Sequence, residues 1–250
     1  MFTSLSRSLL LLAVACLLLP AGAKDKPGKL PAGHDHILAY HSSITVNPDA
    51  SLRVCEKIKV RFDGETKQHG LVKVLPSAYG STPGKPSPLG FHIMGAKRDD
   101  AVETFRSRLT EKNLLVFLGK QDVLLDPGTY TYSLTYKIRR QLRSYPNRDE
   151  LRWNVTTFYW AQPIDRAMAS VTLPTGVPAN RIKVKAFAGR RGKGTACRAS
   201  VNKQGVALFS TKNALKPGEG MTIIVSFPKG FVKLPKAAPA KVRKVVTPDA

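Results

Sequence analysis

The stretch Tyr130–Pro163, YTYSLTYKIRRQLRSYPNRDELRWNVTTFYWAQP, decides the fold class. Tyr130, Tyr132, Leu134, Tyr136 and Ile138 alternate with Thr131, Ser133, Thr135 and Lys137. A period of two gives one apolar and one polar face, which is the pattern of a half-buried strand. Asp126-Pro127-Gly128 supplies the turn that leads into it. The same stretch carries both tryptophans, Trp153 and Trp160, on either side of Asn154.

Working outward, further strands follow at short spacing. Ile37–Val46 puts Leu38, Tyr40, Ile44 and Val46 on one face, and Asn47-Pro48-Asp49 turns the chain. Leu52–Phe62 pairs back with Leu52, Val54, Ile58, Val60 and Phe62 inward. Leu71–Leu75, Leu89–Met94, Val102–Arg108 and Leu114–Leu118 read as strands, and residues 77–88 as an exposed loop. After Pro163 come Ala167–Leu173, Arg181–Ala188, Thr195–Val201, Val206–Ser210 and Met221–Phe227. Many short strands without a helical period predict an all-β, antiparallel β-sandwich. Residues 36–165 form the first unit, and 166–228 either complete it or pack against it as a second.

The ends read differently. Residues 1–23 have the form of a signal peptide, with Arg7, the apolar run Leu9–Leu19 and the small-x-small site Ala21-Gly22-Ala23. Ala13 stands where a lipoprotein signal wants leucine, and Cys16 lies inside the apolar run, so ordinary cleavage is expected rather than lipidation. Residues 24–35 read as a flexible leader, and the Lys/Ala/Pro-rich residues 229–250 as a disordered tail. No later segment is apolar enough to span a bilayer as a helix, so the mature chain is expected to be exported, periplasmic or secreted.

The formal net charge is +23 and the isoelectric point about 10.2. Behind a signal peptide such a balance points to an anionic envelope surface or polymer rather than nucleic acid. Arg139, Arg140, Arg143, Arg190, Arg191 and Lys193 are the candidate contacts. Trp153, Asn154, Tyr159 and Trp160 are either a sugar- or peptide-binding platform or a core anchor with a turn-bonding amide. An envelope protein docking on these aromatics is the alternative partner.

Glu56 interrupts the apolar face of its strand, and Lys73 does the same between Leu71 and Leu75. A buried charge needs a partner, so Glu56 is expected to meet Lys73 or Arg152 as a structural ion pair. Cys55 and Cys197 survive cleavage and permit one disulfide, although Cys55 shares the polar face of its strand with Arg53, Lys57, Lys59 and Arg61. No metal or cofactor site has a recognisable ligand spacing, and no nucleophile-base motif appears. A non-catalytic binding protein is expected ahead of a hydrolase.

These residues also resemble a known family. Tyr40 with the turn Asn47–Ala50, Val54-Cys55-Glu56, Gly70–Pro76 and Gly128–Tyr136 follow its order. The block Asp149–Asn154 with Trp160–Ile164 is the most specific match. The chain resembles the extracytoplasmic domain of bacterial predicted membrane proteins, the family called domain of unknown function 2207, over roughly residues 36–230. Lys73 stands where the family usually has arginine, and Thr156-Thr157 where Thr-Gly is common. The resemblance implies a β fold and export, and it implies no known chemistry.

Overall fold

The computed structural model describes residues 35–65, 68–76, 78–80, 86–88, 90–110 and 113–234. The leader-like residues 1–23 and the segment 24–34 lie outside these, as do residues 235–250 of the tail. Among the described residues the chain is all-β, with a single 3-10 turn at Ala179–Arg181.

The first hairpin sets the frame. β1 (His36–Val46) and β2 (Leu52–Phe62) are antiparallel, closed where Asn47 N–H donates to Ser51 O and Ala50 adopts φ 59°. β2 buries every second residue from Leu52 to Phe62 as its alternation dictates. β1 departs from expectation: a bulge between Ile37 and Ala39 buries Ile37 in place of Leu38. The extra residue shifts parity, and strict alternation returns from Tyr40 onward.

The tyrosine strand is β10 (Gly128–Ile138), paired with β2 along its whole length from Gly128↔Phe62 to Ile138↔Leu52. β6 (Phe91–Arg98) and β7 (Ala101–Glu103) continue the sheet on that side. On the other side β1 pairs in parallel with β13 (Ala167–Thr172), followed by β17 (Ala207–Ser210) and β16 (Arg198–Val201). The result is an eight-stranded mixed sheet ordered β16-β17-β13-β1-β2-β10-β6-β7.

Two smaller sheets cover its inner face. One joins β3 (Leu71–Pro76), β9 (Asn113–Leu118) and β8 (Phe105–Leu109). The other is ordered β11-β12-β18-β14-β15, from β11 (Leu142–Tyr145), β12 (Arg148–Asn154), β18 (Gly220–Phe227), β14 (Lys183–Arg190) and β15 (Lys193–Ala196). Leu114 and Val116, Leu151 and Ile223, and Val54 and Leu134 bring the three sheets into one buried cluster. Strands beyond residue 165 join both the largest sheet and the five-stranded one, so residues 166–228 share sheets with 36–165.

Four further differences have physical causes. The expected strand Val102–Arg108 is broken at Thr104, because β7 and β8 belong to different sheets. There Glu103 accepts Thr104 N–H at 2.9 Å and meets Arg98 at 3.0 Å. Thr195–Val201 breaks at Cys197 in the same way, between the five- and eight-stranded sheets. Residues 77–88, expected as a loop, contain the paired segments β4 (Ala78–Gly80) and β5 (Pro86–Pro88). The start of the tail is held: Lys229 Nζ donates to Tyr145 O at 2.9 Å, Val232 packs on the core, and Lys233 N–H donates to Pro48 O at 2.7 Å.

Candidate functional site

Glu56 points inward from the middle of β2, where its strand neighbours are Ser42 and Leu134. Lys73 points inward from β3, because Leu71 and Leu75 share its parity and face the core. Packing the three-stranded sheet on the large one brings their charges together. Lys73 Nζ lies 3.1 Å from Glu56 Oε2, and both side chains are 1% exposed. This contact is close in distance but misaligned as a hydrogen bond, so it is chiefly Coulombic. Tyr136 OH donates to Glu56 Oε1 at 3.0 Å, and Lys73 Nζ donates to Tyr40 OH. The ammonium also sits 4.8 Å from the Tyr40 ring centre and 5.8 Å from that of Trp160. Arg152, the alternative partner for Glu56, is exposed on the other face of β12.

Burial pushes the Lys73 ammonium below its ordinary range, and Glu56 opposes that shift. Burial, and then the Glu56 charge, hold the Tyr40 and Tyr136 phenols well above theirs. A cavity of about 20 Å³ opens beside the pair, between Leu75, Phe91, Ile138 and Trp153. That is room for about one water molecule and none for an organic ligand.

The aromatic residues divide. Trp153 and Trp160 are 7% and 6% exposed, and Trp160 meets Tyr40 edge to face at 6.2 Å. Asn154 Oδ1 accepts from Thr222 Oγ1 at 2.8 Å. Tyr159 alone of the four is exposed, at 57%. They form an anchor inside the fold with one outlying ring, and not a continuous platform.

No disulfide joins Cys55 to Cys197. Cys55 lies on β2, and Cys197 immediately precedes β16, four strands away across the same sheet. At about 4.8 Å per strand that is roughly 19 Å, far beyond the ~7 Å that a disulfide spans between Cα atoms.

The six candidate basic contacts do not converge. Arg143 lies on β11 and Lys193 on β15, the two opposite edges of the five-stranded sheet. Arg190 and Lys193 face each other across the β14–β15 turn that carries Arg191. Arg139 follows β10 and lies 3.8 Å from Asp49, while Arg140 occupies a turn at φ 62°.

A different surface does converge. The eight strands of the large sheet contain only two carboxylates, Glu56 and Glu103, and both are buried. The outer face carries Arg53, Lys57, Lys59 and Arg61 on β2, Lys97 on β6, Lys137 on β10 and Arg198 on β16. Between them stand hydroxyl residues, such as Ser133 flanked by Lys57 and Lys97. Along β2 the row from Arg53 to Arg61 extends about 27 Å. Among the described residues no group of His, Cys, Asp and Glu is arranged to hold a metal.

A family model described as "Predicted membrane protein (DUF2207) N-terminal domain" matches residues 36–227. The chain belongs to that family. A relative among curated proteins is the uncharacterized protein YciQ of Escherichia coli (strain K12), 24% identical over 151 residues. The match covers 60% of this chain and 24% of YciQ, so the chain spans about a quarter of the length of the curated relative it matches. Among solved structures, native leukotriene A4 hydrolase from Saccharomyces cerevisiae aligns with TM-score 0.46 and 8% identity, over 77% of this chain and 29% of that one. An M1 zinc metallopeptidase from Deinococcus radiodurans aligns with TM-score 0.41 and 14% identity, over 76% and 42%. Likeness at this level carries no activity across.

The family is one of predicted membrane proteins, and no helix among the described residues of this DUF2207 domain is long and apolar enough to cross a membrane. The sequence signal for its basic face was the polar side of β2, whose four cations read there only as an obstacle to burying Cys55.

Proposed function

We propose that this chain is a non-catalytic, extracytoplasmic domain that lays the outer face of its eight-stranded sheet against an anionic lipid surface. One observation carries the reading: seven cations share that face, and both carboxylates of its eight strands point the other way. A solvated face that served solubility alone would mix signs, since unscreened like charges repel. Lysine and arginine near an anionic bilayer each contribute roughly 1 kcal/mol. Several acting together reach micromolar affinity, and that attraction collapses with salt. The signal-like residues 1–23 and membership of a family of predicted membrane proteins support an envelope location. Burial of Trp153 and Trp160 takes support away from docking through aromatics, and the closed Glu56–Lys73 site gives a hydrolase no open cleft.

The test is co-sedimentation of residues 24–250 with vesicles of phosphatidylglycerol and phosphatidylcholine, and with phosphatidylcholine alone. Binding is expected only to the anionic vesicles and is lost in half-molar salt. Replacing Lys57 and Lys59 by Gln weakens it, while replacing Arg190 and Arg191 does not. Equal retention on both vesicle types, or on neither, sinks the reading. Binding to a soluble polyanion without vesicle binding would assign the face to a polymer instead.

A further inference from the structure

At one end of the basic face the β1–β2 turn rises beside the β2–β10 ladder and encloses an open concavity of about 460 Å³. Its lining is Asn47, Pro48, Asp49, Arg53, Met94 and Lys137. Arg53 and Lys137 are direct cross-strand partners on the outer face. Two like charges opposite one another destabilise a ladder, so the pair invites an anion between them. Met94 stands at a break in the β6–β10 register and is 49% exposed, which leaves an apolar wall beside the two cations.

The one carboxylate present is already engaged. Asp49 Oδ1 accepts Ser51 N–H at 3.0 Å and Ser51 Oγ–H at 2.5 Å. Asp49 Oδ2 lies 3.5 Å from Lys137 Nζ and 3.8 Å from Arg139 Nη2. Arg53 lines the same concavity without an ion pair to Asp49, so three cations stand against one acid and the surplus is positive. Asn47 donates Nδ2–H to Ser51 Oγ at 3.0 Å, which presents its carbonyl oxygen as an acceptor for a hydroxyl.

We infer that this concavity binds a phosphodiester bearing a hydroxylated headgroup. Arg53 and Lys137 hold the phosphate, Asn47 receives a hydroxyl, and Met94 meets the apolar side of the ligand. The inference rests on the reading of the basic face as a lipid-facing surface and makes one part of that face selective. The same chemistry arises in a bilayer headgroup and in a soluble glycerol phosphate.

Two arms separate those sources. Amide chemical shifts of residues 24–250 are followed on titration with glycerophosphoglycerol and, separately, with inorganic phosphate, and phosphatidylglycerol vesicle binding is measured in parallel. Saturable shifts around residues 47–53 and 137 are expected, stronger for the diester than for phosphate. Arg53→Gln with Lys137→Gln abolishes them and weakens vesicle binding about tenfold or more, whereas the equal charge loss of Lys57→Gln with Lys59→Gln leaves the soluble titration unchanged. If both double variants lower vesicle binding equally and no soluble ligand saturates, the headgroup site is overturned while the basic face stands. If the diester saturates but no vesicle binds, the site stands for a soluble ligand and the lipid-facing reading falls. Equal affinity for phosphate and diester overturns the role given to Asn47.

Discussion

Lys73 Nζ sits 3.1 Å from Glu56 Oε2 at the point where the three-stranded sheet meets the eight-stranded one, with both side chains 1% exposed. This pair joins two sheets that share no ladder hydrogen bonds. Apolar packing between sheets tolerates sliding, because methyl groups are interchangeable to first order. A buried charge pair tied to Tyr40 and Tyr136 does not, since a slip of one residue leaves an ion in the core without its partner. The pair is therefore a register device as well as an electrostatic one.

Lys73→Met should destabilise the fold by about 3–5 kcal/mol, because it strands the Glu56 carboxylate in an apolar interior. Combining it with Glu56→Leu should recover most of that loss, since the double variant leaves no unpaired charge. Denaturant unfolding of both variants measures this. A double variant as unstable as the two single losses added together would mean that the pair does not act as one unit.

Alkaline pH should unfold the protein earlier than its surface charges suggest. Tyr40 and Tyr136 are held well above the ordinary 10.0, first by burial, and Tyr132 is pushed up to about 12, again chiefly by burial. The unfolded chain releases these protons near pH 10 while the folded chain keeps them. Their contribution is thus complete below pH 10 and is lost as pH climbs from there toward the folded values. Lys73 works in the opposite direction but at lower pH: its folded value is lowered below 10.5, so its stability gain is complete by about 10.5 and does not oppose the phenols above it. The melting temperature should fall above pH 10, and a titration of tyrosinate absorbance should show Tyr40 and Tyr136 ionising only with unfolding and Tyr132 no earlier than about pH 12. A phenolate step for all seven tyrosines near pH 10 without loss of structure would contradict this.

The parts of the fold legible in the sequence are those where one strand has one wet and one dry side. β2 and β10 are such strands, and their ends and buried residues follow from alternation alone. The same pattern exposed Glu56 and Lys73, because a charge at an apolar parity has few explanations. The β11–β12 hairpin was not legible. Arg148, Asp149 and Glu150 are consecutive charges that look solvent-facing, yet Asp149 is 2% exposed and Glu150 9%. Their burial is shared between local partners, Ser144 Oγ donating to Asp149 at 2.9 Å and Arg148 lying 3.5 Å from Glu150, and distant ones: Ser226 Oγ donates to Glu150 at 3.0 Å, and Lys229 lies 3.8 Å from Asp149. The crossovers at Thr104 and Cys197 were hidden for a related reason, since alternation continues across a residue at which the chain changes sheet. The basic face is not legible in the sequence because adjacency of β2, β6 and β10 comes from pairing order, which no single strand encodes.

Gly70 offers the sharpest test of how the three-stranded sheet is anchored. It precedes β3 at φ +143°, a conformation that side chains other than hydrogen resist. A Cβ there would lie 1.8 Å from Leu118 O, and this is backbone of the paired strand, which cannot swing aside as a side chain would. Gly119 faces it at φ +120°, so the two chains approach as closely as two glycines permit. Gly70→Ala should therefore push β3 away from β9 and carry Lys73 off Glu56, adding an ion-pair loss to the backbone strain. A loss of about 3 kcal/mol or more is expected. Gly95 on β6 is the matched control, because a Cβ at that position meets nothing within 4 Å and its φ is not in the left-handed region. Gly95→Ala should be neutral, or stabilising by up to about 1 kcal/mol through the lower entropy of the unfolded chain. Denaturant midpoints of the two variants decide the matter. If Gly70→Ala unfolds no earlier than Gly95→Ala, the close approach of β3 and β9 does not hold Lys73 in place, and its position must be fixed by Tyr40 and Trp160 instead.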